Sequence, residues 1–137
     1  MKAKEFLSSA YKMDRQMQVL AEKIRRLRSM LDYRSPPFDG IGGGGSSDRM
    51  SDTVSMIVDY ERQLQELQKQ LVTRYIEIDG VISKVDDEPL REVLERRYLL
   101  YQKWDQIAAA MSYSERHVHR LHSAALQLIN MSLNVTL

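Results

Sequence analysis

Phe6, Ala10, Met13, Met17, Leu20, Ile24, Leu27 and Leu31 recur at alternating steps of four and three. That rhythm, held over almost four heptads, marks a helix with a single apolar seam, as in a coiled coil. A strand cannot use it, because strand faces alternate every two residues. The spacing predicts a helix over about residues 3–31. A second seam runs through Ile57, Tyr60, Leu64, Leu67 and Leu71, then resumes after one stutter-like shift at Tyr75, Ile78, Ile82 and Val85. The second helix is expected from Ser51 or Asp52 to Lys84, with Gly80 weakening it by about 1 kcal/mol relative to alanine.

Ser35-Pro36-Pro37 ends the first helix, because proline disfavours helical geometry in the residue before it. The glycines from Gly40 to Gly45 and the two serines after them predict a flexible connector over residues 35–50. No strand precedes these glycines and no Gly-Lys-Ser/Thr follows them, so the nucleotide-cradling pattern is not met. Charge reverses across the connector. The first helix carries Lys2, Lys4, Lys12, Arg15, Lys23, Arg25, Arg26 and Arg28 against Glu5, Asp14, Glu22 and Asp32. The second, with the residues just after it, carries Asp52, Asp59, Glu61, Glu66, Glu77, Asp79, Asp86 and Asp87 against Arg62, Lys69, Arg74 and Lys84. A basic helix followed by an acidic one predicts an antiparallel hairpin, its direction set by ion pairs and its stability by the buried seams. The Arg25-Arg26-x-Arg28 cluster fits phosphate, but equally a solvated face or an acidic neighbour on the second helix.

Asp86-Asp87-Glu88-Pro89 opens a third helix, with an acidic cap and a proline in the first turn. Leu90, Val93, Leu94, Tyr98 and Tyr101 form its apolar face. A short alanine-rich helix, Trp104 to Met111, follows, and then a turn at Ser112 and Tyr113. Ser114 is placed to cap the next helix, with Glu115 where a negative charge suits the helix dipole. Val118, Leu121, Ala125 and Leu128 are expected to face inward. At about 100° per residue, Arg116, Arg120, Ser123 and Gln127 then point away from that side, with His119 at its shoulder. Arginine can fork onto guanine, glutamine can pair with adenine, and either arginine can hold phosphate. The expected contact is therefore the major groove of double-stranded DNA, through Arg116, His119, Arg120, Ser123 and Gln127. A solvated basic stripe on an amphipathic helix would show the same residues.

Other chemistries find little support. The 137 residues contain no cysteine, which excludes thiolate metal sites and disulfides and fits a reducing cytoplasm. No window approaches the length of a membrane span, and the N-terminus has no signal-peptide run. His117, His119 and His122 resemble a metal cluster on paper. On a helix, however, His117 and His119 point about 160° apart, and His119 with His122 supplies two ligands where a zinc site needs more. No nucleophile elbow is present and no paired acids sit in a recognisable cleft-forming context, Glu92 and Glu95 reading as the solvated face of their helix. The chain is expected to use no metal, cofactor or small-molecule substrate and not to be an enzyme. Met13 and Met17 read as seam packing and Trp104 as an anchor between helices.

Leu90 to Leu128, with R-E-V-L-E-R-R-Y-L, W-D-Q-I-A and Y-S-E-R-H-V-H-R-L, resembles region 4 of bacterial sigma factors, the helix-turn-helix that meets the promoter −35 element. Over nearly the whole chain, the heptad helix, Gly-rich loop, second helix and C-terminal segment are similar to a family of small phage and prophage proteins of largely unknown function. Its relatives include the ArpU- and RinA-type regulators of phage late genes. The resemblance implies packing roles for Ile107, Ala108, Val118 and Leu121, a capping role for Ser114, and DNA-facing roles for Arg116, His119 and Arg120. Two positions depart from the pattern. Lys103 stands where a small cap residue is usual. Ser112 stands where glycine is common, and a left-handed conformation there would cost serine about 1 kcal/mol. Nothing matches the promoter-melting region of a complete sigma factor.

These readings converge on an all-α chain. Residues 1–86 form a coiled-coil hairpin, with the loop at 35–50, and residues 87–137 a three-helix helix-turn-helix unit with recognition helix 114–128. The expected function is a cytoplasmic, sequence-specific transcriptional regulator of phage origin, its hairpin serving self-association or contact with RNA polymerase. A small terminase-type packaging protein and a coiled-coil adaptor without DNA binding are the alternatives.

Overall fold

The computed structural model describes residues 2–33 and 44–136. Among them the chain forms five α-helices and no strand: α1 (Ala3–Tyr33), α2 (Gly44–Ile82), α3 (Glu88–Leu94), α4 (Trp104–Met111) and α5 (Glu115–Thr136). A π-helical segment, Glu95–Leu99, continues α3. The all-α class follows from the two long seams and from the scarcity of helix breakers outside the connector. No helix is long and apolar enough to cross a membrane among the described residues.

The helix α2 begins about two turns before the expected Ser51 or Asp52. Once a helix is nucleated, each added residue gains a hydrogen bond, so a weak helix-forming stretch can join a strong one. The Arg49 carbonyl, which accepts the Thr53 hydroxyl at 2.9 Å, lies in this added stretch. The expected flexible segment 35–50 is thus helical from Gly44, and its remainder lies outside the described residues.

The chain divides into two compact units, Met13–Gln70 and the combination of Met1–Lys12 with Leu71–Leu137. In the first, Leu20, Ile24 and Ile57 are buried, while Met13, Met17, Leu27, Tyr60, Leu64 and Leu67 are half-buried. All of them lie on the seams read from the heptad pattern. The Lys23 ammonium sits over the Tyr60 ring, Arg28 pairs with Glu61, and Arg25 pairs with Glu22. The basic cluster of α1 therefore meets acidic neighbours, although these pairs are exposed and worth at most about 1 kcal/mol each.

The second unit has the larger core. Ala3, Leu7 and Ala10 of α1 are buried with Ile78 and Ile82 of α2, Val85 in the turn that follows, Leu90 and Leu94 of α3, Tyr98, and Ala125 and Ile129 of α5. Residues 87–137 therefore share their core with the ends of both long helices, and the expected boundary at residue 86 falls inside this unit. Polar contacts fasten the same joint. Asn130 Oδ1 accepts the Ala3 N–H at 2.7 Å, and Arg74 donates to Ser9 Oγ at 2.8 Å while lying over the Phe6 ring.

Two positions leave the expected seams. Tyr75 is exposed and donates to the Leu99 carbonyl, while the covered row of α2 runs Leu71, Arg74, Ile78 and Ile82. Leu128 is 46% exposed, whereas Ile129 is 2%. The inward row of α5 is Val118, His122, Ala125 and Ile129, a spacing of four, three and four that passes Leu128 by.

Candidate functional site

The site is built on three short joints. At the first, the Asp87 carboxylate accepts the Leu90 N–H at 3.2 Å with Pro89 in the first turn, as the acidic-proline start implies. The third helix then widens. The Leu100 N–H reaches Glu95 O, five residues back, and the Gln102 N–H reaches Arg96 O, six back. This π-helical stretch ends at Tyr101, whose φ of 57° is left-handed. The widened turn lets Arg97 donate to the Gln102 carbonyl at 2.9 Å and places its guanidinium 4.4 Å from the centre of the Trp104 ring.

At the second joint, Lys103 precedes α4 and has no acceptor on its side chain to serve as a cap. Neighbouring side chains supply the missing acceptors. Gln106 Oε1 accepts the Lys103 N–H at 2.9 Å, and Asp105 Oδ1 accepts the Gln106 N–H at 3.0 Å. At the third, Ser112 ends α4 with φ 60° and ψ 39°. This is the left-handed conformation expected where glycine is usual, held at a cost of about 1 kcal/mol. The Tyr113 N–H bonds back to Ala108 O. Ser114 Oγ then accepts the His117 N–H at 3.1 Å, so Ser114 caps α5. Residues 104–127 are therefore two helices separated by a turn.

Behind these joints Val93, Ile107, Ala108 and Val118 form a small buried cluster, with Trp104, Met111 and Leu121 packed against it. Trp104 packs between the helices and anchors this cluster. Its ring centre lies 4.4 Å from that of His119 and 4.7 Å from that of His122. His122 is 7% exposed and its Nε2 is 2.6 Å from the Tyr98 hydroxyl. Burial pushes the His122 pKa down to about 4, helped by the positive charges of Lys4, Arg97 and His119. Burial raises the Tyr98 pKa to about 12, against the lowering effect of Arg97. At neutral pH the imidazole is uncharged and the phenol protonated, so Tyr98 donates and His122 Nε2 accepts. Sequence reasoning missed this role, treating His122 only as a possible ligand. Its position four residues after Val118 and three before Ala125 was the available signal.

On the outward side, Arg116, His119, Arg120, Ser123 and Gln127 are all exposed, as is the capping Ser114. Neither Arg116 nor Arg120 has an ion-pair partner among the described residues. His119 is fixed against Trp104, and His117 is edge-on to Tyr113 at 4.6 Å. No group of three or more His, Asp or Glu side chains is arranged to hold a metal ion among the described residues. The arrangement offers two free guanidiniums, an imidazole, a hydroxyl and an amide on one side of a helix whose other side is packed.

The model of a family described as a protein of unknown function, DUF722, matches residues 10–130. No curated protein and no solved structure matches the chain.

Proposed function

The chain belongs to the DUF722 family, and because that description names no activity, we propose from the site itself that the protein binds DNA in a sequence-specific manner. In this reading α4, the turn at Ser112 to Ser114, and α5 are a helix-turn-helix braced by α3. The module is of the kind found in region 4 of sigma factors and in ArpU- and RinA-type phage regulators, and it serves transcriptional control. The observation that carries the reading is the outward face of α5. Arg116, His119, Arg120, Ser123 and Gln127 are exposed together on a helix held by Val118, His122, Ala125 and Ile129 behind it.

A recognition helix must present hydrogen-bonding groups to base edges without losing its own support. Here presentation and support fall on opposite sides, so the arginines need not move for binding. Arg116 and Arg120 are one turn apart, and the pair suits adjacent guanines or a guanine and a phosphate. Ser123 and Gln127 follow along the same side and extend the contact. Ser114 leaves the first-turn N–H groups of α5 partly directed to solvent, where a phosphate is favoured.

The test is a gel shift on duplexes selected by the wild-type protein from a randomised pool, repeated with Arg116→Ala plus Arg120→Ala. The double variant should lose about 100-fold in affinity, from about 1–3 kcal/mol per arginine. Its salt dependence should flatten by about 1–2 in log–log slope, according to how many of the lost contacts are to phosphate. Unchanged affinity with unchanged slope would remove α5 from the interface.

A further inference from the structure

The unit formed by residues 13–70 has little interior of its own. Among its described residues only Leu20, Ile24 and Ile57 are buried apolar side chains, although its two helical stretches carry the longest apolar seams of the chain. Met13, Met17, Leu64 and Leu67 are half-exposed, and Val19, Val54 and Val58 are 55%, 45% and 45% exposed. An open groove of about 490 Å³ lies in it, lined by Val19, Leu20 and Leu67 together with Arg15, Gln16, Lys23 and Gln63. Apolar helix faces are stable only when a further layer covers them.

We propose that the covering layer is the same unit of a second copy of this chain, the two packing as a four-helix bundle. Three features select this occupant. The α1 stretch of the unit has five basic residues (Arg15, Lys23, Arg25, Arg26, Arg28) and three acidic ones (Asp14, Glu22, Asp32). The α2 stretch has five acidic residues (Asp48, Asp52, Asp59, Glu61, Glu66) and three basic ones (Arg49, Arg62, Lys69). A twofold arrangement that lays α1 of one copy against α2 of the other brings each basic stretch to an acidic one, whereas pairing like helices would set like charges together. A partner of uniform charge would satisfy one helix and repel the other. The size also fits. A two-helix face about 30 Å long and 20 Å wide approaches the roughly 800 Å² per partner that stable interfaces bury. Finally, the lining mixes aliphatic side chains (Val19, Leu20, Leu67) with Arg15, Gln16, Lys23 and Gln63, a composition that suits an interface of apolar and hydrogen-bonding contacts. The groove is then the seat of the partner's helix.

This assembly is independent of the DNA reading and is tested without DNA. Sedimentation equilibrium of the full chain should give twice the chain mass at about 100 μM, a concentration that populates even a micromolar dimer. Val19→Glu on the basic α1 and Gln63→Lys on the acidic α2 each oppose the charge pairing at the groove and should each weaken dimerisation at least about tenfold while circular dichroism still shows the wild-type helix content. Val72→Glu, equally exposed but outside the unit, should remain dimeric. A monomeric wild type overturns the proposal. So does a dimer that withstands both groove variants, or one that Val72→Glu dissociates as readily. Should one groove variant lose its helix content, the other decides.

Discussion

Leu7→Ala is expected to destabilise the C-terminal helices by about 2–5 kcal/mol, although Leu7 is far from them in the chain. Its side chain is fully buried with Ile78, Ile82, Leu90, Leu94, Ala125 and Ile129. Truncation loses the transfer free energy of the deleted methyl groups and leaves a cavity that packed neighbours fill only in part. Trp104 is the only tryptophan, and it packs against the cluster of Val93, Ile107 and Val118. Urea unfolding followed by its fluorescence therefore reports the unit that contains Leu7. The midpoint should fall markedly for Leu7→Ala and barely for Val72→Ala, in the same unit but with a side chain more than half exposed. Equal midpoints for Leu7→Ala and wild type would detach the first turns of α1 from this core.

Acid should weaken the same unit through His122. Its folded pKa, lowered to about 4 by burial and by nearby positive charge, lies below the ordinary 6.5. Between those values the unfolded chain binds the proton more readily than the folded one. The stabilisation is therefore complete above pH 6.5 and is lost as pH falls toward 4, on the order of 2 kcal/mol by pH 5. Protonation also removes the acceptor that the Tyr98 hydroxyl uses. His122→Gln keeps an acceptor but cannot titrate, so its urea midpoint should change less between pH 7 and pH 5 than that of the wild type. The same acid loss in both proteins would assign the sensitivity elsewhere. Tyr98 acts at the other extreme. With its pKa raised to about 12, its contribution is full below pH 10 and declines as pH rises toward 12.

Much of this fold is legible in the order of residues, because the seams are long and helical periodicity reports directly on the face that is covered. Leu20, Ile24, Ile57, Ile78 and Ile82 lie inward as their spacing requires. Local chemistry was equally readable where a few atoms decide it: the Asp87 and Ser114 caps and the left-handed Ser112 follow from side-chain oxygens and turn geometry. Longer-range packing was less accessible. The inward row of α5 includes a histidine, and counting only apolar residues shifted the reading by one position, to Leu128 in place of Ile129. The π-helical turn at Glu95–Leu99 has no signature in the apolar spacing, although it is what brings Arg97 to Trp104. Nor does the heptad pattern indicate that Ala3, Leu7 and Ala10 belong to a core completed by α5.

The candidate interface was readable for a related reason. A helix with one packed face displays its remaining residues in fixed directions, so Arg116, Arg120, Ser123 and Gln127 could be placed together by angle alone. His119 was placed at the shoulder, and its contact with Trp104 gives that position a physical cause. What angle cannot convey is the support behind the face. The Tyr98–His122 hydrogen bond and Arg97 over Trp104 tie α5 and the start of α4 to the preceding helix.

The most direct test places a probe on the outward face of α5. The chain has no cysteine, so Ser123→Cys gives a single attachment point for a tethered iron chelate that cleaves nearby DNA. On a duplex selected by the wild-type protein, cleavage should be confined to a few base pairs at the bound site, while the same chelate at Asp86→Cys, in the turn before α3, should cut weakly or not at all. Cleavage from Asp86→Cys without cleavage from Ser123→Cys, or failure of the wild-type protein to select any duplex, would contradict the assignment of α5 to DNA.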